Sequence, residues 1–73
     1  MTECLVVTTT TEARAEAEAI AERLVREHLA ACVQILGPMT SIYCWEGEVA
    51  RAEEWLVLVK TTVELRPQVE AAI

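Results

Sequence analysis

The 73-residue sequence predicts an α+β fold, in which two helices cover one face of an antiparallel sheet. Three observations lead to this prediction. The β-branched run at residues 4–8 is apolar on both faces, which is typical of a central strand. Residues 13–25 carry apolar side chains at helical spacing, and residues 40–61 contain two extended apolar runs that indicate a long hairpin.

Length and charge narrow the classes of function. Residues 1–73 can form one domain at most, which we expect to be C-terminally incomplete, and a domain this small is marginally stable alone, which favours assembly with other copies. The net charge of −6 argues against nucleic acid and anionic membranes as partners. The N-terminus lacks the basic and apolar regions of a signal peptide. We therefore expect a soluble protein with a cytoplasmic location.

The first helix is predicted to begin near Thr10, after the strand at residues 4–8. Thr9 and Glu12 have the spacing of a capping box, and the apolar stripe continues for about five turns. Acidic residues dominate the start of this helix, and Arg23 and Arg26 come later, which matches the helix dipole. His28 falls in the last turn, where we expect a structural role.

The second strand is predicted at residues 31–36 and is followed by Gly37-Pro38. This dipeptide either closes the strand or forms a bulge within one long bent strand that continues through Trp45. Strand alternation places Ser41, Tyr43 and Trp45 on one face and Ile42, Cys44 and Glu46 on the other.

The return strand is predicted at residues 54–61, with apolar residues on both faces, so that one face meets the helices and the other meets another subunit. The turn lies at residues 46–47 or at residues 50–53. We favour the second position, with Gly47 as a bulge inside the strand. A second helix follows Thr62 and runs to Ile73, with Pro67 in its first turn.

The predicted order is therefore β-α-β-β-α, the first five elements of the six-element ferredoxin-like split βαβ pattern. The final strand of that pattern is missing from the sequence. Because that strand would pair beside the first strand, we expect the first strand to form an open sheet edge.

Three segments resemble the CutA divalent-cation-tolerance family: Leu-Ala-Ala-Cys-Val at residues 29–33, Thr-Ser-Ile-Tyr-Cys-Trp-Glu-Gly-Glu at residues 40–48, and Leu-Val-Lys-Thr-Thr at residues 58–62. The resemblance covers nearly the whole chain. It implies a ferredoxin-like fold, a homotrimer whose long hairpins wrap one another, and a cytosolic protein linked to tolerance of copper and other divalent metals. It also implies that the protein is not an enzyme.

The metal ion that this resemblance implies is copper or another divalent cation. Cys32 matches a cysteine of the family pattern, whereas Cys44 stands where relatives more often carry Tyr. Thiolates favour Cu(I), so we expect Cys32 to be a metal ligand, with a weaker contribution from Cys44 or Glu46. The alternative for Cys32 is a packed structural cysteine. We expect Tyr43, Trp45 and Trp55 to anchor the subunit interface, because aromatic side chains dominate such contacts.

Two other functions are compatible with the predicted fold. One is a trimeric regulator resembling the PII signal proteins, which bind small ligands between subunits, although the chain lacks a basic cluster for phosphates. The other is a purely structural trimeric scaffold. An acylphosphatase-like enzyme is disfavoured, because the sequence contains no Asn and no Arg beside a phosphate-cradling loop.

Overall fold

The computed structural model describes residues 3–73, so the first two residues of the predicted domain lie outside the described part. Within it the elements follow the predicted order. They are β1 (Cys4–Thr11), α1 (Arg14–Arg26), β2 (Cys32–Trp45), β3 (Glu48–Thr62) and α2 (Arg66–Ala72). The sheet has the order β1-β3-β2, and both neighbouring pairs are antiparallel. The predicted ferredoxin-like α+β fold is confirmed.

The core lies between the two helices and one face of the sheet. Its buried apolar residues are Ala17, Leu24, Ala30, Val57, Val59 and Val69. Leu24 comes from α1 and Val69 from α2, and both join the cluster that contains Val57 and Val59 of β3. Both helices therefore cover the same face of the sheet, as the sequence predicts.

The start of α1 differs from the prediction. Strand β1 continues to Thr11, and Thr9 pairs with Val57 of β3, so that Thr9 cannot cap a helix. The N-cap residue is Ala13, which makes no side-chain capping bond. The predicted capping box is wrong, because the β-branched threonines gain ladder hydrogen bonds and packing on the pleated sheet.

The end of α1 explains the place of His28. Its φ is 59°, and its N–H donates to the carbonyl of Val25 while the N–H of Leu29 donates to that of Leu24. These two bonds are those of a Schellman motif, which satisfies the last carbonyls of a helix. His28 lies just past the helix rather than in its last turn, and its backbone has a structural role.

The hairpin turn lies at Glu46 and Gly47, so our preference for residues 50–53 is wrong. Trp45 pairs directly with Glu48, which leaves a two-residue loop with φ values of 51° and 81°. Two positive φ values are the requirement of a type I′ turn, whose twist matches that of the flanking strands. Gly47 therefore belongs to the turn and not to a bulge.

Gly47→Ala is expected to lower the free energy of unfolding by about 1–2 kcal/mol, the cost of a left-handed conformation for a residue with a Cβ. No atom lies within 4 Å of a Cβ built at Gly47, so the loss is conformational and not steric. Gly47→Asn is the matched control and should lose less, because Asn visits this conformation more readily. Urea denaturation of both variants measures the difference, and equal losses would contradict the assignment of the turn.

Both outer strands of the sheet have a free edge in residues 3–73. β1 and β2 each pair only with β3, which lies between them. The expectation of an open edge at β1 is therefore met for the described residues.

None of the helices in this range is long and apolar enough to cross a membrane.

Candidate functional site

The sheet face that points away from the helices is partly apolar. Pairing places Val6 and Cys32 on either side of Lys60, and Thr10 and Leu36 on either side of Leu56. Val6 is 53% exposed and Leu36 is 55% exposed. We call this surface the open face. It lacks a covering layer in the described residues, and exposed apolar area of this kind often marks an interaction site.

Cys32 lies on the open face at the beginning of β2. Its thiol is exposed and free, and its partner across the ladder is Lys60. Lys60 carries an ammonium group, which cannot serve as a metal donor. Among residues 3–73 there is no group of three His, Cys, Asp or Glu side chains that could hold a metal ion. The described residues of a single chain therefore offer an incomplete donor set around Cys32.

Cys44 and Glu46 lie far from Cys32 in the same chain. Cys44 pairs with Val49 near the end of the hairpin, and Glu46 belongs to the turn. Cys44 follows Cys32 by twelve positions of extended chain, a distance of roughly 35–40 Å. Ladder alternation also puts Cys44 on the opposite face of the sheet. Cys44 and Glu46 can therefore reach Cys32 only from another copy.

Cys4 is the thiol that sequence reasoning did not connect with Cys32. It pairs with Thr62 on the open face, across β3 from Cys32. Two strand spacings separate the cysteines by at least about 9–10 Å, beyond the Cα separation of about 7 Å that a disulfide tolerates. In the sequence, this placement is indicated by the alternation of side chains along β1. That alternation becomes informative once β3 is known to lie between β1 and β2.

The three aromatic residues predicted as interface anchors separate into two groups. Tyr43 and Trp45 share the face of Ser41, as predicted, and they are 44% and 65% exposed. Ladder alternation puts this face on the same side as Cys32. Trp55 belongs to the opposite side, where it is half-buried and packs against the core cluster. Contact of these side chains with another chain remains a prediction.

Arg14 is a further contact that sequence reasoning missed. Its guanidinium carbon lies 5.3 Å from the centroid of the Trp55 ring, within the range of a cation–π contact. Arg14 also forms an ion pair with Glu18, with 3.0 Å between Nε and Oε1. The spacing of Arg14 and Glu18 is visible in the sequence, whereas the contact with Trp55 depends on the packing of α1 on the sheet.

Comparison with known proteins gives a consistent result. Residues 5–73 match the profile of the family described as CutA1 divalent ion tolerance protein. The divalent-cation tolerance protein CutA of Thermus thermophilus is 46% identical over 68 residues, which are 93% of this chain and 66% of that protein. The chain spans between 53% and 66% of the length of the curated relatives that it matches first.

Solved structures show the same similarity. The divalent ion tolerance protein CutA1 of Ehrlichia chaffeensis superposes with a TM-score of 0.91 at 31% identity, covering 97% of this chain and 66% of that one. A structure from Archaeoglobus fulgidus, described as a periplasmic divalent cation tolerance protein CutA, has a TM-score of 0.86 at 38% identity and covers 94% and 67% of the two chains. The described fold is therefore shared along nearly the whole chain.

Proposed function

Because the chain belongs to the CutA1 divalent ion tolerance protein family, we propose that it serves metal tolerance as a homotrimer that binds copper or another divalent cation through Cys32. The observation that carries the proposal is the family match along residues 5–73. The exposure of the Cys32 thiol on the open face supports it. The protein acts by holding metal ions and not by catalysis.

The chemistry of the open face favours a site shared between copies. Thiolates select soft ions such as Cu(I), and one thiol beside Lys60 does not complete a coordination shell. A trimer contains three copies of each donor group, and its interfaces cover exposed apolar residues such as Val6 and Leu36. Cys32 contributes one thiolate from each copy, and a reducing cytosol keeps these thiols free.

Titration with Cu(I) in the presence of a competing chelator, under anaerobic reducing conditions, tests the proposal. We expect Cys32→Ser to weaken Cu(I) binding by at least about tenfold, which corresponds to 1.4 kcal/mol. Cys44→Ser is the matched control, because Cys44 is also an exposed thiol on β2 but lies on the other face. The loss of affinity in Cys44→Ser should be smaller than that in Cys32→Ser, because only a weaker contribution is expected from Cys44.

Two results would remove the role of Cys32. One is the absence of Cu(I) binding by the unchanged protein. The other is equal affinity in the unchanged protein and in Cys32→Ser. A loss of affinity in Cys44→Ser with none in Cys32→Ser would move the site to the hairpin end.

A further inference from the structure

The hairpin formed by β2 and β3 extends beyond the rest of the sheet. β1 ends at Thr11, which pairs with Trp55, so no residue of β3 before Trp55 has a partner on β1. Residues 39–45 and 48–54 pair only with each other, and we call them the arm. The molecule is accordingly elongated, with extents of 46 × 23 × 18 Å.

A two-stranded ribbon is marginally stable in water, and no third strand holds its direction. The direction of the arm therefore depends on the contacts at its root. Residues at that root decide where the exposed arm residues Tyr43 and Trp45 are presented.

A bulge marks the root of the arm on β2. The ladder shifts between Leu36 and Met39, so that Gly37 and Pro38 together lie opposite Trp55. A bulge of this kind bends its strand and increases the local twist. The root is thus the point where the arm changes direction.

The Trp55 ring packs closely against Gly37. A Cβ built on Gly37 would lie 2.7 Å from Cε3 and 3.1 Å from Cδ2 of the ring, and 3.1 Å from the carbonyl oxygen of Glu54. The φ of Gly37 is 154°, which side-chain-bearing residues rarely adopt. Glycine at this position therefore permits both the backbone conformation and the approach of the ring.

The same ring contacts the first residue of α1. The guanidinium of Arg14 lies over it at 5.3 Å, and the Arg14–Glu18 ion pair restricts the arginine. The Trp55 ring consequently contacts the bulge in β2 and the N-terminal turn of α1. It is the side chain that links the root of the arm to the helix layer.

We propose that Trp55 is a positioning residue, which sets the angle of the arm relative to α1 through its contacts with Gly37 and Arg14. This role differs from that of an interface anchor, because the contacts that carry it lie within one chain. The consequence for assembly rests on the proposed trimer. The angle of the arm within one chain does not depend on the trimer, so the positioning role of Trp55 and the proposed trimer can fail separately.

The test measures the distance between two spin labels within one chain by pulsed electron paramagnetic resonance. One label is attached to Cys44 in the arm and the other to α1 through Ala19→Cys, in a chain that also carries Cys4→Ser and Cys32→Ser. Both attachment positions are exposed. Labelled chain is co-refolded with an excess of unlabelled chain, so that the measured pair belongs to a single copy in a monomer and in a trimer alike.

Arg14→Gln and Arg23→Gln form a matched pair. Each removes an exposed arginine from an ion pair with a glutamate four residues later, with 3.0 Å between the paired atoms, but only Arg14 lies over Trp55. We expect Arg14→Gln to broaden the distance distribution and Gly37→Ala to shift its mean by more than the width of the parent distribution. Arg23→Gln should leave the distribution unchanged.

Circular dichroism establishes that each variant is folded. If folded Arg14→Gln or folded Gly37→Ala retains the parent distribution, the positioning role of Trp55 is overturned. If Gly37→Ala does not fold, Arg14→Gln decides alone, because Arg14 is exposed and its replacement removes no buried group. An equal response of Arg14→Gln and Arg23→Gln would also overturn the proposal.

Discussion

Leu24→Ala is expected to lower the free energy of unfolding by about 2–5 kcal/mol, the cost of removing a large buried side chain and leaving a cavity. Leu24 is 1% exposed and belongs to the core cluster that joins α1, α2 and β3. Domains have a total stability of only about 5–15 kcal/mol. The variant should therefore be partly or wholly unfolded at conditions where the unchanged protein is folded.

Val25→Ala provides the matched control for this core substitution. Val25 follows Leu24 in α1 but is exposed. Alanine is also the better helix former, so the change should stay within about 0.5 kcal/mol. Urea denaturation followed by circular dichroism at a single protein concentration measures both variants, because assembly makes apparent stability depend on concentration. Similar losses for the two variants would contradict the position of Leu24 in the core.

Combined replacement of Tyr43 and Trp45 by alanine is expected to convert the proposed trimer into single chains of 8.1 kDa. Both aromatics are exposed on one face of the arm, and truncation of a central aromatic anchor commonly costs at least about 2 kcal/mol of binding free energy. That loss weakens association by about thirtyfold for each residue. Light scattering coupled to size-exclusion chromatography measures the mass of the particle.

The control for this experiment replaces two exposed apolar residues outside the arm, Val25 and Val63, by alanine. Their exposure is close to that of Tyr43, so the control removes apolar surface without touching the arm. The control should keep the mass of the unchanged protein. An unchanged protein that is already a single chain would contradict the trimer, and a double arm variant that stays assembled would contradict the role of Tyr43 and Trp45.

Local patterns were sufficient for much of the fold. The helical spacing of apolar residues predicted α1, and Pro67 near the start of a short helix predicted α2, where Pro occupies the first turn. The bulge at Gly37-Pro38 was one of two alternatives, and the register of β2 against β3 selects it. These features depend on residues that are close together in the sequence, so a short window of sequence is enough to predict them.

Long-range pairing decided the boundaries that were wrong. Thr9, Thr10 and Thr11 belong to β1 because they find partners on β3, although the same residues resemble a helix cap in isolation. The turn at residues 46–47 follows from a ladder that continues to Trp45 and Glu48. The pairing of the threonines with β3 is not visible from a short window of sequence, whereas the turn at residues 46–47 was one of the two alternatives that the sequence offered.

The candidate site divides in the same way. The sequence identified Cys32 as a candidate metal ligand and Tyr43 and Trp45 as candidate interface residues. Strand alternation correctly placed the two aromatic side chains on one face. The sequence did not reveal that Cys44 lies at the other end of β2 or that Trp55 lies toward the helices. The bulge decides which side chains of β2 share a face, because the extra residue puts Tyr43 and Trp45 on the side of Cys32 and Cys44 on the other side.

By itself, the sequence determined the order and type of the elements, the apolar faces that need covering and the family, because periodicity and motifs are local properties of the chain. Only the tertiary structure decided that no group of three metal donors forms among residues 3–73 and that Trp55 packs between Gly37 and Arg14, on the opposite side of the sheet from Tyr43 and Trp45. The physical reason is that these contacts join residues distant in sequence, and strand register and helix packing alone bring them together.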